Sequence, residues 1–211
     1  MKNILFDLDG TLTDSQDGII KSLQYALQYY GIEEKAENLG GFLGPPAHIA
    51  FQEYYGFSEQ KAFDATKKFR ERYADKGIFE NRLYDGIDEL LRKLHDEGKR
   101  LCVATSKPIV HTEKILEYFD IRKYFDIVVG SDLEGKFCNK SDIISEVLKK
   151  CGNDRENSVM VGDRKYDILG AKENEIKSVA VLYGYGNMEE FVLAGADFIA
   201  ESVEKISDFV L

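Results

Sequence analysis

Asn3-Ile4-Leu5-Phe6-Asp7-Leu8-Asp9-Gly10-Thr11-Leu12-Thr13-Asp14-Ser15 opens the chain, and its reading decides the fold. Its first half is a short apolar run bounded by Gly10, the pattern of a strand buried in a parallel sheet. Two carboxylates, Asp7 and Asp9, leave the carboxyl end of that run, where open α/β sheets bind their ligands. From residue 85 onward similar runs return, separated by segments of helical spacing. The pattern predicts helices over 87–95, 108–119, 141–151 and 166–174, alternating with strands over 100–105, 127–130, 158–161 and 178–182. This alternation argues an α/β fold, a Rossmann-like parallel sheet with helices on both faces.

Residues 15–84 read differently. Ile19, Ile20, Leu23, Ala26, Leu27 and Tyr30 fall at helical spacing before Gly31. Pro46 starts a shorter helix through Ile49, Ala50, Phe51 and Tyr54. Ser58 caps a third, through Ala62, Phe63, Thr66, Phe69 and Tyr73 toward Gly77. No alternation of the β type interrupts them. The expected organisation is therefore an α/β core from residues 1–14 and 85–211, with an all-helical insertion at 15–84.

Composition sets the outer limits. With 211 residues, 44% of them hydrophobic, the chain can bury a core without a disulfide or metal staple. The excess of 38 acidic over 28 basic residues gives a net charge of −10. Polymeric nucleic acid would be repelled by that charge, and no basic cluster offsets it. No apolar run approaches the roughly 20 residues of a membrane-crossing helix. The start carries no secretory signal pattern. Cys102, Cys138 and Cys151 are odd in number and widely spaced, without metal or framework spacing. A reducing cytoplasm is the expected setting.

A second strand end repeats the carboxylate theme in Val161-Gly162-Asp163-Arg164-Lys165-Tyr166-Asp167. In a parallel sheet all four aspartates reach one edge. Two unit charges about 4 Å apart repel by roughly 4 kcal/mol at an effective dielectric near 20. A hard divalent cation relieves this, and an all-oxygen set with open positions suits Mg²⁺. The cation would screen Asp7 from an incoming phosphate and make it a usable nucleophile. Asp9, two residues on, suits the general acid and base. The N–H groups of Leu8, Asp9 and Gly10 could form an anion nest. A single Asp-x-Asp pair is commonly only a solvated turn; its repetition at a second strand end carries the argument.

Two further segments fit a phosphate. Thr105 and Ser106 precede Pro108, so a hydroxyl and an N–H would sit at a helix N-terminus. The plain alternative is that they only cap the helix. Lys140 stands at another helix start, where the helix dipole disfavours a cation. An anionic partner would explain it; a solvated surface lysine is the alternative. Lys107 is a rival for the phosphate contact.

At these residues the sequence resembles the haloacid dehalogenase superfamily of Mg²⁺-dependent phosphotransferases. The opening run, Thr105, Lys140 and Gly-Asp-x-x-x-Asp match its four motifs in order, and the insertion resembles its helical cap. The resemblance implies Asp7 as nucleophile and Asp9 as general acid/base. It implies Mg²⁺ held by the Asp7 carboxylate, the Asp9 backbone carbonyl and Asp163, with Asp167 in support. It also implies phosphate bound by Leu8, Gly10, Thr105, Ser106 and Lys140. Dehalogenases lack the second carboxylate, so Asp9 favours phosphoryl chemistry.

The phosphoglycolate phosphatase type usually follows its lysine with proline, whereas Ser141 follows Lys140 here. The runs Gly130-Ser131-Asp132-Leu133-Glu134-Gly135, Asn139-Lys140 and Val181-Leu182-Tyr183-Gly184-Tyr185-Gly186 look more like a bacterial 5′-nucleotidase-like subgroup. So do Leu43, Gly44, Pro45 and Pro46, the candidate substrate-selecting residues of the cap. The resemblance thus implies a phosphomonoesterase for small phosphorylated metabolites, monomeric or weakly dimeric. Phosphoglycolate or sugar-phosphate hydrolysis and phosphomutase action are the alternatives, and a phosphate-ester-binding regulator is the non-enzymatic one. His48, His95 and His111 lack zinc spacing and are expected at helix surfaces or boundaries. Cys102 is expected as a buried small hydrophobe. Tyr25, Tyr29, Tyr30, Tyr54 and Tyr55 are expected as cap core, and Glu33-Glu34-Lys35 as a solvated turn.

Overall fold

A computed structural model describes residues 1–134 and 137–211. Gly135, part of one of the runs quoted above, lies outside the described residues. The chain begins with β1 (Asn3–Phe6), β2 (Thr13–Asp14), α1 (Gln16–Tyr29), α2 (Ala47–Tyr55), α3 (Glu59–Asp75) and β3 (Arg82–Leu83). It continues through α4 (Ile87–Asp96), β4 (Arg100–Pro108), α5 (Ile109–Tyr118), β5 (Ile127–Ser131), α6 (Lys140–Lys150) and β6 (Ser158–Gly162). The last elements are α7 (Lys165–Glu173), β7 (Lys177–Val181), α8 (Met188–Ala194), β8 (Phe198–Ala200) and α9 (Val203–Val210). The chain divides into two compact units, Met1–Thr13 with Leu83–Leu211, and Asp14–Arg82.

The first unit is built on a six-stranded sheet in the order β5-β4-β1-β6-β7-β8, with every pairing parallel. β1 is central, with Phe6 opposite Val103 on one side and Val161 on the other. All four of its residues are fully buried, which is why it reads as a continuous apolar run rather than an alternating one. Leu5, Cys102 and Met160 pack with Ile143, Ile144 and Val147 of α6. The alternate residues Ile4, Phe6 and Val103 are equally buried, so both sheet faces are covered. α8, β8 and α9 lie beyond the last strand that the sequence pattern predicts, at 178–182. β8 has only three residues, and two of them are only partly buried, which leaves little pattern to read.

One boundary differs in a way that matters for the site. β4 continues through Pro108 instead of ending at Thr105, and α5 starts at Ile109. The β4–β5 ladder shifts register between Ala104 and Pro108, which keeps the chain extended over Thr105, Ser106 and Lys107. Thr105 and Ser106 therefore sit on the strand end, not at a helix N-terminus. Pro108 is the residue before the helix, with φ −54° and ψ 133°.

In the second unit α1, α2 and α3 close on Leu23, Ala26, Leu27, Phe51, Ala62 and Ala65. Ser58 caps α3 as the sequence suggested, its Oγ accepting from the Lys61 N–H at 3.4 Å. Gly56, with φ +60°, ends α2 in the left-handed region. Of the five tyrosines expected as core, Tyr30 and Tyr55 are partly buried against this cluster; Tyr25, Tyr29 and Tyr54 are exposed, although the Tyr54 ring lies 5.3 Å from that of Phe42. Phe42, Phe51 and Phe57 fill the space together with aliphatic side chains, and the exposed phenols keep their hydroxyls toward water. Nor is Glu34 a bare turn residue, since it accepts hydrogen bonds from Asn38 and Tyr55. Among the described residues no helix is long and apolar enough to cross a membrane.

Candidate active site

The carboxyl edge of the sheet gathers residues from β1, β4, β6 and the starts of α6 and α7. Beyond β1 the chain makes a tight turn in which the Leu8 carbonyl accepts the N–H groups of Thr11, Leu12 and Thr13. Gly10 occupies this turn at φ +80°, and a Cβ there would lie 2.1 Å from Asp163 Oδ2. Only glycine lets the turn approach that carboxylate. The Gly10 N–H is already given to the Thr13 carbonyl at 2.7 Å. Its contribution to an anion site is therefore room rather than a donor.

Asp7, Asp163 and Asp167 each bring a carboxylate oxygen within 4.8 Å of the others. Asp163 and Asp167 are fully buried, while 13% of the Asp7 side chain is exposed. Lys140 answers two of the three. Its Nζ lies 2.9 Å from Asp7 Oδ1, 2.8 Å from Asp167 Oδ1 and 3.1 Å from the Ala104 carbonyl. The Ala104 contact is a hydrogen bond, and the two carboxylate contacts are ion pairs. The lysine is thus not a solvated surface residue; it is 7% exposed, and its anionic partners are the aspartates themselves. Burial alone would lower its pKa, but the Asp167 and Asp7 carboxylates reverse this and raise it.

Asp167 also starts α7, accepting the Arg164 N–H through Oδ2 at 3.0 Å. Burial pushes its carboxyl up to about 6 against the pull of Lys140. Asp163 is pushed well above the usual range by burial and by the charges of Asp167 and Asp7. Three carboxylates thus face one lysine, and Asp163 has no lysine or arginine ion-pair partner among the described residues. A close set of hard oxygens with surplus negative charge fits a divalent cation such as Mg²⁺.

Asp9 stands apart from this cluster. Its Oδ2 meets Lys107 Nζ at 2.5 Å, and both side chains are largely buried, at 19% and 7% exposure. Thr105 is buried, with its Oγ1 accepting from the Lys107 N–H at 3.3 Å. Ser106 turns its hydroxyl to the Cys138 carbonyl at 3.0 Å. Leu43 is buried within the other unit's sequence and Pro46 precedes α2.

Some features of the edge escaped the sequence reading. Gly162 is required because a Cβ there would lie 2.2 Å from the Asp167 carboxyl carbon. Gly184 is equally tight, with a Cβ position 2.3 Å from the Gly10 carbonyl oxygen. Tyr183 and Tyr185 bond to Thr11 and Asp163. The clue was the Tyr183-Gly184-Tyr185-Gly186 run directly after a predicted strand. His48 and His111 lie at the helix boundaries expected of them, in the first turns of α2 and α5, but both are buried. His48 stacks on Phe63 at 4.9 Å, and only His95 lies at the surface. The fold brings the thiols of Cys102 and Cys151 to 3.8 Å despite their separation in sequence.

Comparison with known proteins agrees with this geometry. Residues 4–181 match the haloacid dehalogenase-like hydrolase family. The chain is 43% identical over 189 residues to a 5′-nucleotidase of Pseudomonas aeruginosa, covering 89% of this chain and 86% of that protein. It is 31% identical to a phosphoglycolate phosphatase of Vibrio parahaemolyticus, over 100% and 96% of the two chains. A solved structure of a predicted phosphatase from Clostridium acetobutylicum superposes with a TM-score of 0.95 at 45% identity, covering 98% and 96%. The parallel sheet, the aspartates at its carboxyl edge and these likenesses agree: the chain belongs to the haloacid dehalogenase-like hydrolases and is an enzyme of that family, a phosphoric monoester hydrolase.

Proposed function

We propose that this enzyme hydrolyses small phosphorylated metabolites, nucleoside 5′-monophosphates foremost, through a phosphoryl group carried on Asp7. The observation that carries the reading is the convergence of Asp7, Asp163 and Asp167 within 4.8 Å, with Lys140 bridging Asp7 and Asp167. Asp7, Asp163 and the Asp9 backbone carbonyl would hold Mg²⁺, with Asp167 in support. When bound, the cation supplies positive charge that offsets the crowded carboxylates and the phosphate.

In the first step Asp7 attacks phosphorus, and the bond to the leaving oxygen breaks as Asp9 protonates it. In the second, Asp9 takes a proton from water, which attacks the phosphoryl group and frees Asp7. Lys107 orients Asp9 through their ion pair. Lys140 holds Asp7 in place and contributes its charge to phosphate binding. Thr105, Ser106 and the backbone of Leu8 complete the phosphate cradle, for which Gly10 leaves room. The helical insertion serves as the family's cap, with Leu43, Gly44, Pro45 and Pro46 selecting the substrate. A reducing cytoplasmic setting and a monomer or weak dimer belong to the same reading.

The likeness to the Pseudomonas 5′-nucleotidase supports the nucleotide class, as does Ser141 after Lys140. The likeness to phosphoglycolate phosphatase makes phosphoglycolate the rival substrate. Phosphate release from nucleoside monophosphates, phosphoglycolate and sugar phosphates, with Mg²⁺ and with chelator, tests both. The expected result is Mg²⁺-dependent release with the highest kcat/KM on a nucleoside 5′-monophosphate. Preference for phosphoglycolate would overturn the substrate class, and release that survives chelator would overturn the metal. Isomerisation of a phosphosugar without phosphate release would point to a mutase.

A further inference from the structure

Asp163 is held differently from the other carboxylates of the site. Asp7 and Asp167 meet Lys140, and Asp9 meets Lys107. Asp163 is oriented by neutral donors instead. Its Oδ1 accepts from the Thr11 hydroxyl at 3.3 Å, and its Oδ2 accepts from the Tyr185 N–H at 2.8 Å. Neutral donors fix the direction of a carboxylate without cancelling its charge, whereas a lysine would compete with a cation for it.

The Thr11 hydroxyl can serve only while its turn keeps its place. The Thr11 carbonyl accepts a hydrogen bond from the Tyr183 phenol at 2.9 Å, 172 residues away in sequence. Tyr183 and Tyr185 flank Gly184, whose Cβ position is 2.3 Å from the Gly10 carbonyl oxygen and 2.4 Å from Asp163 Cβ. The Gly184 and Gly10 backbones and the Asp163 side chain therefore interlock with no space for a methyl group. Tyr183, Thr11, Asp163 and Tyr185 make a closed circuit of hydrogen bonds through that contact. The Tyr183 ring rests against Tyr84, with centroids 4.8 Å apart.

We infer that the 183–186 loop is a clasp on the metal-binding carboxylate, in which Tyr183 is a positioning residue that sets Asp163 through Thr11. This rests on the proposed Mg²⁺ site. The phenol hydroxyl ties the first turn to the loop, and the loop's own N–H aims Asp163. Losing the hydroxyl loosens the carboxylate's aim toward the cation and leaves the substrate contacts at Asp7, Thr105 and Lys140 intact.

Tyr183→Phe keeps the ring against Tyr84 and deletes only the hydroxyl. Two Mg²⁺ titrations read its effect: phosphate release, and the rise in melting temperature over the same protein in chelator. The variant is expected to need about tenfold more Mg²⁺ in both. Its KM for substrate at saturating Mg²⁺ should stay within about twofold of wild type, as expected when the substrate contacts are kept. Gly184→Ala, which forces the clasp open by a different route, should move both titrations in the same direction. A wild type that responds to Mg²⁺ while both variants titrate at its concentration overturns the clasp alone. A uniform fall in kcat with unchanged Mg²⁺ half-saturation does the same. A wild type that ignores Mg²⁺ in both titrations overturns the metal site and the clasp with it.

Discussion

Lys140 shows how much one side chain can hold at this edge. Its ammonium is the common partner of two buried or half-buried carboxylates. Lys140→Met keeps the stem's bulk and leaves Asp7 and Asp167 facing each other and Asp163. Breaking a buried pair from one side costs about 3–5 kcal/mol. Urea unfolding in chelator should show a loss of that order, with part of it recovered in Mg²⁺; a loss below about 1 kcal/mol, the level of a surface pair, would mean the ion pairs are solvated. Asp7→Asn addresses the chemistry instead. It preserves the shape but removes the nucleophile, so kcat should fall by at least about 10³-fold. Turnover near wild type would remove Asp7 from that role.

At the level of elements, Gly18 in α1 sets two effects against each other. Alanine in a helix interior is favoured over glycine by about 0.5–1 kcal/mol. A Cβ at Gly18, however, would lie 2.0 Å from the Gly77 carbonyl oxygen, which is backbone and cannot swing aside. Overpacking of this kind costs about 1–3 kcal/mol, so the clash wins. Gly18→Ala should lower the unfolding midpoint in urea; an unchanged or raised midpoint would show that α1 and the 77–79 turn can separate freely. The β4 strand end makes a related point. Its register shift keeps Thr105, Ser106 and Lys107 extended, which lets Lys107 reach Asp9 rather than cap α5.

For the molecule as a whole, the acidic edge links stability to pH and to metal. Asp163 and Asp167 have folded pKa values raised above the ordinary 3.8, the latter to about 6. A raised carboxyl binds more protons when folded, so its contribution is present below the unfolded value and is lost as pH rises through the folded one. In chelator this term should lower the melting temperature as pH goes from about 4 to about 6 and beyond. A cation binds the deprotonated form, so the Mg²⁺-induced rise in melting temperature should grow over the same window. Melts at matched pH with and without Mg²⁺ check this. A Mg²⁺ effect that is flat with pH would mean that these two groups are not linked to the metal.

The sequence by itself determined the alternation of strands and helices, the helical insertion and the arrival of Asp7, Asp9, Asp163 and Asp167 at one edge. These follow from local periodicity and from the rule that a parallel sheet brings its strand ends together. Helix limits in 15–84 were legible for the same reason, since Gly31, Pro46 and Ser58 act within a turn of where they stand. Only the tertiary structure decided which cation meets which anion. Lys140 stood between an anionic partner and solvent until α6 brought it against Asp7 and Asp167, and Lys107 faced Asp9 only because β4 runs on past Thr105. The same holds for Tyr183 and Thr11, and for the thiols of Cys102 and Cys151. Such pairings depend on packing between segments distant in sequence, and no local pattern encodes a distance of that kind.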